Sequence, residues 1–342
     1  MRSVICVHER FERLWPFAAD HWHLRWQAQG DCELYRTEAP DARAPDIVPD
    51  PGSVQRLAVL GLPGDTQDVE PFTGLEECYF ERHRDLSAAG VDAAAERGVS
   101  VIPIRPDVYW GQSVAEFALG LTICGLRQIP QKYAAARESH DTWRYTPEVG
   151  RPGENGAQAA DDHRFSNGTI AGKRVRVAGL GNIGGRYASW CRNMGADVAA
   201  WDPFAAQTTF ELAGVDRRYQ LSDLVRDAEI FAPMLPPTDE TLHIISVETI
   251  DALPQGCLVV QVTRAFICDL DALYRRVLAD ELSLAADVFS DAPGPGAGGE
   301  PIPLDSPLLG RDNVVHTPHI AGRTVDANRA WVDDIVSRFR PR

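Results

Sequence analysis

The segment that most restricts what this chain can fold into is GKRVRVAGLGNIGGRYASWCRNMGADVAAWDPF, residues 172–204. An apolar run leads into Gly179-x-Gly181-x-x-Gly184, a helix-compatible stretch follows, and a second apolar run ends at Asp202. That order of parts predicts a strand, a tight turn, a helix and a second strand. Gly179 permits the turn, Gly181 lets the backbone approach a pyrophosphate, and Gly184 lets helix and strand pack closely. Phosphate charge belongs at the helix N-terminus, beside Asn182 and Ile183. Asp202 lies 18 residues beyond Gly184, where a carboxylate accepts hydrogen bonds from ribose hydroxyls and repels a 2′-phosphate. The reading is a dinucleotide site that favours NAD over NADP. Ordinary turns also carry glycines, and a Rossmann-like methyltransferase has a similar loop and acidic strand end, so downstream segments must decide.

The rest of the chain repeats the same alternation. Apolar runs at 57–62 (LAVLGL), 99–104 (VSVIPI), 229–235 (EIFAPML) and 258–262 (LVVQV) are separated by helix-compatible segments, which is the pattern of parallel βαβ units. A segment from Ser113 to Glu138 predicts a long helix, interrupted near Pro130. Residues 145–168 are rich in Gly, Ala and acids without periodicity, and predict a long exposed loop. With 342 residues and 44% hydrophobic composition, two domains are expected. The fold class is α/β: two Rossmann-like or flavodoxin-like domains with doubly wound parallel sheets and a cleft between them.

A formal charge of −15 argues against nucleic acid or anionic lipid as partner, because the global field repels polyanions. There is no run of eighteen apolar residues, and MRSVICVHERFERLW lacks a leader's apolar region, so a cytoplasmic protein without membrane association is expected. Cys6, Cys32, Cys78, Cys124, Cys191, Cys257 and Cys268 are never spaced as CxxC; they read as reduced core thiols. His21 and His23 flank Trp22 with no third ligand nearby, and read as surface or packing residues rather than a metal site.

Downstream come MLPPTDETLHIIS (234–246), VVQVTRAFICDLDAL (259–273), ADVFSD (286–291) and EPIPLDSPLLGRDNVVHTPHIAG (300–322). With SVAE (113–116) and GLGNIG (179–184), these segments resemble, in order, the D-isomer-specific 2-hydroxyacid dehydrogenase family over roughly residues 85–325. The resemblance implies an NAD-dependent oxidoreductase acting between a small 2-oxoacid and its D-2-hydroxy acid. It also implies a substrate domain of residues 1–106 plus 323–342, an NAD-binding Rossmann domain of residues 107–322, and a homodimer formed through the cofactor domains. The final segment TVDANRAWVDDIVSRFRPR predicts a helix returning to the first domain.

The resemblance assigns roles residue by residue. The family's arginine falls on Arg264 and its histidine on His319; Asp287, in DVF, is expected against the nicotinamide carboxamide, and Pro236 and Thr238 along the cofactor. The chemistry suits these types. Reducing a 2-oxoacid needs a hydride at the carbonyl carbon and a proton at the carbonyl oxygen, which an imidazole titrating near the working pH can give. An always-charged, fork-shaped arginine can bind the substrate carboxylate and polarise the carbonyl. The family's glutamate usually follows DVF closely, and here Ala292 precedes Pro293. The continuation EPIPLDSPLLG places the acid at Glu300, 19 residues before His319, with the Gly/Pro-rich PGPGAGG-containing segment as an insertion. The rival reading is a lost acid, with Asp291 or no residue beside the histidine.

On the substrate side, the glycine loop of the family is missing from CYFERHRDLSAAGVDAAAERG (78–98). Arg82, His83 and Arg84 stand where small residues are usual, which predicts a substrate with a second anionic group, such as a phosphonate, phosphate or second carboxylate. Solvated arginines paired with Glu81 and Asp85 are the plainer reading. Arg105, Tyr109 and Trp110 are candidates for another wall of the pocket. Two other activities stay open: an NAD(H)-sensing or partner-binding protein with little turnover, and oxidation of a small oxyanion such as phosphite or formate.

Overall fold

A computed structural model describes residues 1–81, 88–103, 110–140, 162–236, 238–289, 302–322 and 324–340. The chain divides into two compact units, Met1–Tyr109 with Arg323–Arg342, and Trp110–Gly322.

Among its described residues, the first unit is built on five parallel strands: β1 (Ser3–His8), β2 (Cys32–Thr37), β3 (Arg56–Leu60), β4 (Glu77–Phe80) and β5 (Ser100–Val101). Their order is β2-β1-β3-β4-β5. β1 is buried along its whole length, as a central strand covered on both faces must be. The helix Ala18–Gln27 buries Trp22 and Trp26, and the helix Val325–Val336 adds Trp331. Trp22 meets Trp26 edge-on at 5.5 Å and Tyr79 at 5.1 Å. Truncating a tryptophan in such a cluster costs about 3–5 kcal/mol. Arg56 is 1% exposed, with its guanidinium over Trp26 and Phe339 and donating to Gln29 Oε1 (2.9 Å) and Arg340 O (2.8 Å). That buried charge ties the C-terminal segment to the sheet. His21 Nε2 lies 2.9 Å from Asp333, and His23 Nε2 lies 3.0 Å from Cys32 O: both histidines join elements of this unit.

Among its described residues, the second unit carries seven parallel strands: β6 (Arg174–Ala178), β7 (Asp197–Trp201), β8 (Asp216–Arg217), β9 (Ile230–Pro233), β10 (Leu258–Gln261), β11 (Ser283–Ala286) and β12 (Val314–His316). The order β12-β11-β10-β9-β6-β7-β8 reverses direction between β6 and β9, which makes the carboxyl ends of those two strands the topological switch point. The helix Trp110–Arg127 packs Val114, Ala115, Ala118 and Leu121 into the core beneath this sheet. A side chain at Gly125 would collide with Leu258 of β10, so the helix lies close on the strand. Thr122 Oγ1 bonds the buried Tyr187 hydroxyl at 2.8 Å, and burial raises that phenol's pKa. The helix ends at Gln128, which turns to φ 49°, and a second helix runs Ile129–Glu138 with Pro130 in its first turn. The expected interruption therefore falls two residues upstream of the proline, which needs no N–H partner once it sits at a helix start.

Among the described residues, no helix is long and apolar enough to cross a membrane. Of the loop expected at 145–168, residues 145–161 lie outside the described residues.

Candidate active site

Because all seven strands of the second unit are parallel, their carboxyl ends share one edge. The glycine turn follows β6, Asp202 follows β7, Pro236 follows β9, Arg264 follows β10, Asp287 follows β11, and His319 follows β12. One sheet edge thus collects every described residue singled out from the sequence for cofactor or catalysis.

The turn after β6 uses its glycines in three different ways. Gly179 sits at φ 95°, and a Cβ there would lie 2.6 Å from Met234 O; neither the dihedral nor the space admits a side chain. At Gly184 a Cβ would run into Gly179 O, so helix and turn are in backbone contact. At Gly181 the added Cβ would meet nothing within 4 Å: its open side faces the space before the helix. The helix Asn182–Asn193 has Gly181 at its N-cap with no side-chain cap hydrogen bond. Its first N–H groups are left for an anion. An uncapped helix start behind an open glycine fits a dinucleotide pyrophosphate.

Asp202 works on this turn directly. Oδ2 accepts Leu180 N at 2.8 Å, while Oδ1 accepts Phe204 N (2.9 Å) and Ala205 N (3.0 Å). A carboxylate has about four acceptor positions, and three are taken by backbone. What remains is a fixed negative charge beside the turn, whose orientation the fold has already set. Beyond β9, Pro236 O accepts Thr241 Oγ1 at 2.6 Å and Thr238 caps the short turn Asp239–Thr241. Both residues are exposed at the switch point.

Arg264 is half-buried, in extended backbone, and its Nη1 donates to Thr263 O at 2.7 Å. Thr263 in turn donates to Pro233 O at 3.3 Å, so the ends of β10 and β9 are joined just beneath the guanidinium.

The histidine turn is held from β11. Asp287 is fully buried. Its Oδ1 accepts the Thr317 hydroxyl at 2.6 Å and Ile320 N at 3.0 Å, and its Oδ2 accepts Ala321 N at 2.9 Å. His319 N bonds Thr317 O at 3.0 Å across Pro318, and Thr317 N bonds Ala286 O at 3.0 Å. His319 itself adopts φ 54°, a left-handed conformation that costs a non-glycine residue about 1–2 kcal/mol. Bonds on both sides of the histidine fix it there. The carboxylate expected against the nicotinamide carboxamide is thus engaged, in this structure, in holding the histidine turn.

Glu300, Asp291, Ala292 and Pro293 lie outside the described residues, as do Arg82, His83, Arg84, Arg105 and Tyr109. Trp110 begins the helix Trp110–Arg127.

Comparison with known proteins agrees with this geometry. Residues 126–321 match the family described as D-isomer specific 2-hydroxyacid dehydrogenase, NAD binding domain. The chain belongs to the D-isomer specific 2-hydroxyacid dehydrogenase family. Within that family it is 30% identical to D-3-phosphoglycerate dehydrogenase of Methanocaldococcus jannaschii over 241 residues, which is 70% of this chain and 40% of that protein. Against hydroxypyruvate reductase of Thermotoga maritima it is 29% identical, covering 74% of this chain and 73% of that one. The chain spans 40–54% of the length of the phosphoglycerate dehydrogenase relatives it matches. Among solved structures, the family enzyme of Lactobacillus delbrueckii in its NAD-complexed form aligns with TM-score 0.70 at 18% identity, covering 98% of this chain and 95% of that one. The family member of Xanthobacter autotrophicus in complex with NADPH and MES aligns with TM-score 0.63 at 25% identity, with the same coverage. The cofactor of this 2-hydroxyacid dehydrogenase family member is NAD; the methyltransferase reading falls away.

Three residues of the site were not singled out from the sequence. Thr317 anchors the histidine turn; its place one residue before Pro318 in TPH was the available signal. Gln112 and Arg186 flank the glycine turn in space but are 74 positions apart, and no local pattern links them.

Proposed function

We propose that this protein is an NAD-dependent oxidoreductase that interconverts a small 2-oxoacid and its D-2-hydroxy acid. The observation that carries the reading is the histidine turn: His319 in a left-handed conformation, clamped by Asp287, on the same sheet edge as the glycine turn and Arg264. Such an arrangement spends fold stability on holding one imidazole.

In this reading the glycine turn and the uncapped helix start hold the pyrophosphate, and Asp202 meets the adenosine ribose and disfavours a 2′-phosphate. The reduced nicotinamide, when bound, supplies the hydride. Arg264 binds the substrate carboxylate and draws electron density from the carbonyl. His319 gives its proton to the carbonyl oxygen in reduction and takes it back from the hydroxyl in oxidation. Glu300 is the acid assigned to orient the imidazole. The sequence at 78–98, with Arg82 and Arg84 where the family has small residues, supports a substrate with a second anionic group. Family likeness supports a homodimer in the cytoplasm.

The test is stereochemical. With NAD supplied, NADH should form from D-2-hydroxy acids and not from their L-isomers, and a panel including phosphonates and dicarboxylates should reveal any second-anion preference. Equal rates with both isomers would reject the reading. So would NADH formation from phosphite or formate alone.

A further inference from the structure

Beside the glycine turn, a chain of polar contacts leaves the site and returns to it. Asn182, the first helical residue after Gly181, has its side-chain oxygen bonded by Arg186 Nη1, which also donates to Asn182 O at 2.9 Å. Arg186 Nε then donates to Gln112 Oε1 at 3.2 Å, and Gln112 Nε2 donates to Glu116. The Asn182 amide lies so close to Gly111 that a Cβ at Gly111 would overlap it. The first turn of the helix Trp110–Arg127 is therefore fitted to the side chain that borders the pyrophosphate space.

One residue further on, Ser113 Oγ donates to Ala321 O. Ala321 is the residue whose N–H is held by Asp287, two positions after His319. A Cβ at Gly322 would lie 3.6 Å from Val114 and 3.7 Å from Trp110. The same helical turn that meets the glycine turn through Gly111 and Gln112 thus grips the histidine turn through Ser113. Its rigid backbone leaves little freedom for one contact to shift without the other.

We propose that Arg186 and Gln112 are positioning residues that link occupancy of the dinucleotide turn to the placement of the His319 turn, through Asn182, the first turn of Trp110–Arg127 and the Ser113–Ala321 bond. This rests on the NAD-site reading but not on the identity of the substrate. A phosphate at the helix start orders Asn182; Arg186, bonded to both its oxygens, carries that order to Gln112, and Ser113 delivers it to Ala321. The coupling needs two arrangements of one small element and no long pathway.

NADH alone is the probe, with the 342-residue chain. Affinity is read by fluorescence for wild type, Arg186→Met, Ser113→Ala and the double variant. Each single change should weaken NADH several-fold, and the double should depart from the product of the two by about threefold or more, as residues in one network do. The Ser113 hydroxyl bonds Ala321 in the histidine turn, whereas Arg186 bonds Asn182 at the glycine turn, so a product of independent effects would overturn the proposal. Hydrogen exchange supplies a second readout. NADH should slow exchange at residues 317–322 in wild type and fail to do so in Arg186→Met and in the surface variant Gln112→Ala, which keeps the fold. Persistent protection of 317–322 in Gln112→Ala would overturn the proposal, and so would a wild-type chain that binds no NADH. NADH binding with coupled protection but no turnover of any 2-oxoacid would instead reject the reductase reading and leave this inference standing.

Discussion

Asp287 accepts the backbone N–H of Ala321 at 2.9 Å, and through that bond the end of β11 fixes the far side of the turn that presents His319. The near side is fixed by the same carboxylate, through Thr317. Asn in its place offers one acceptor oxygen and turns an NH2 toward a donor. Asp287→Asn should lower stability by about 1–3 kcal/mol, the usual cost of unsatisfied buried polar groups. It should reduce turnover more than NADH affinity. Denaturant unfolding together with an NADH titration checks both; unchanged turnover would show that the histidine turn needs no clamp.

Two glycines three positions apart should behave oppositely. Gly184→Ala drives a Cβ into Gly179 O, a backbone atom that cannot move aside, and should cost about 3 kcal/mol or more. Gly181→Ala meets open space and should leave stability within about 0.5 kcal/mol of wild type, yet abolish NADH binding because the methyl enters the pyrophosphate's space. Thermal melts with and without NADH separate the two effects.

Acid stability should depend on Arg176, which is 1% exposed and bonds Asp227 at 2.7 and 2.8 Å. That bond holds the Asp227 carboxyl below its ordinary range. A depressed folded pKa means the stabilisation is in place above about pH 4, the unfolded value, and is lost as pH falls through the lower folded value. Asp227→Asn should flatten the acid limb of the unfolding midpoint below about pH 4 and leave neutral catalysis unchanged. An unaltered acid limb would deny the pair its role.

The cysteines should be inert in the native protein. Burial pushes the thiols of Cys32, Cys78 and Cys191 up to about 12, and raises those of Cys6, Cys257 and Cys268 as well. Cys124 is only half-buried. Since the thiolate is the reactive form, a thiol reagent at pH 8 should modify Cys124 at most before unfolding, and all seven cysteines after it. Rapid native labelling of Cys191 would mean the helix that carries the glycine turn opens readily.

Much of this architecture was legible because long apolar runs and glycines report local geometry. The runs at 174–181, 197–202, 229–235 and 258–262 became β6, β7, β9 and β10, and Gly179 and Gly184 form the tight turn and the close packing that their spacing implied. What stayed hidden was short or non-local. β8 and β12 are two and three residues long, too brief for any period to register. SVICVH at the start of the chain became β1, a continuous buried run that fits a strand only once its neighbours are known. Asp287 was legible as a residue of the site but not as an anchor, since its partners lie 30 to 34 positions downstream. The link from Gln112 to Arg186 is of the same kind: tertiary packing makes it, and no helix-face or turn pattern announces it.

The most direct measurement of the central claim is loss of NADH absorbance with a panel of 2-oxoacids, comparing wild type with His319→Ala while NADH affinity is followed in both. The account predicts turnover by wild type that falls by at least about a hundredfold in the variant, the scale of a lost general acid, with NADH bound nearly as tightly. Turnover that survives in His319→Ala, or a wild-type protein that binds NADH and reduces no 2-oxoacid, would contradict it.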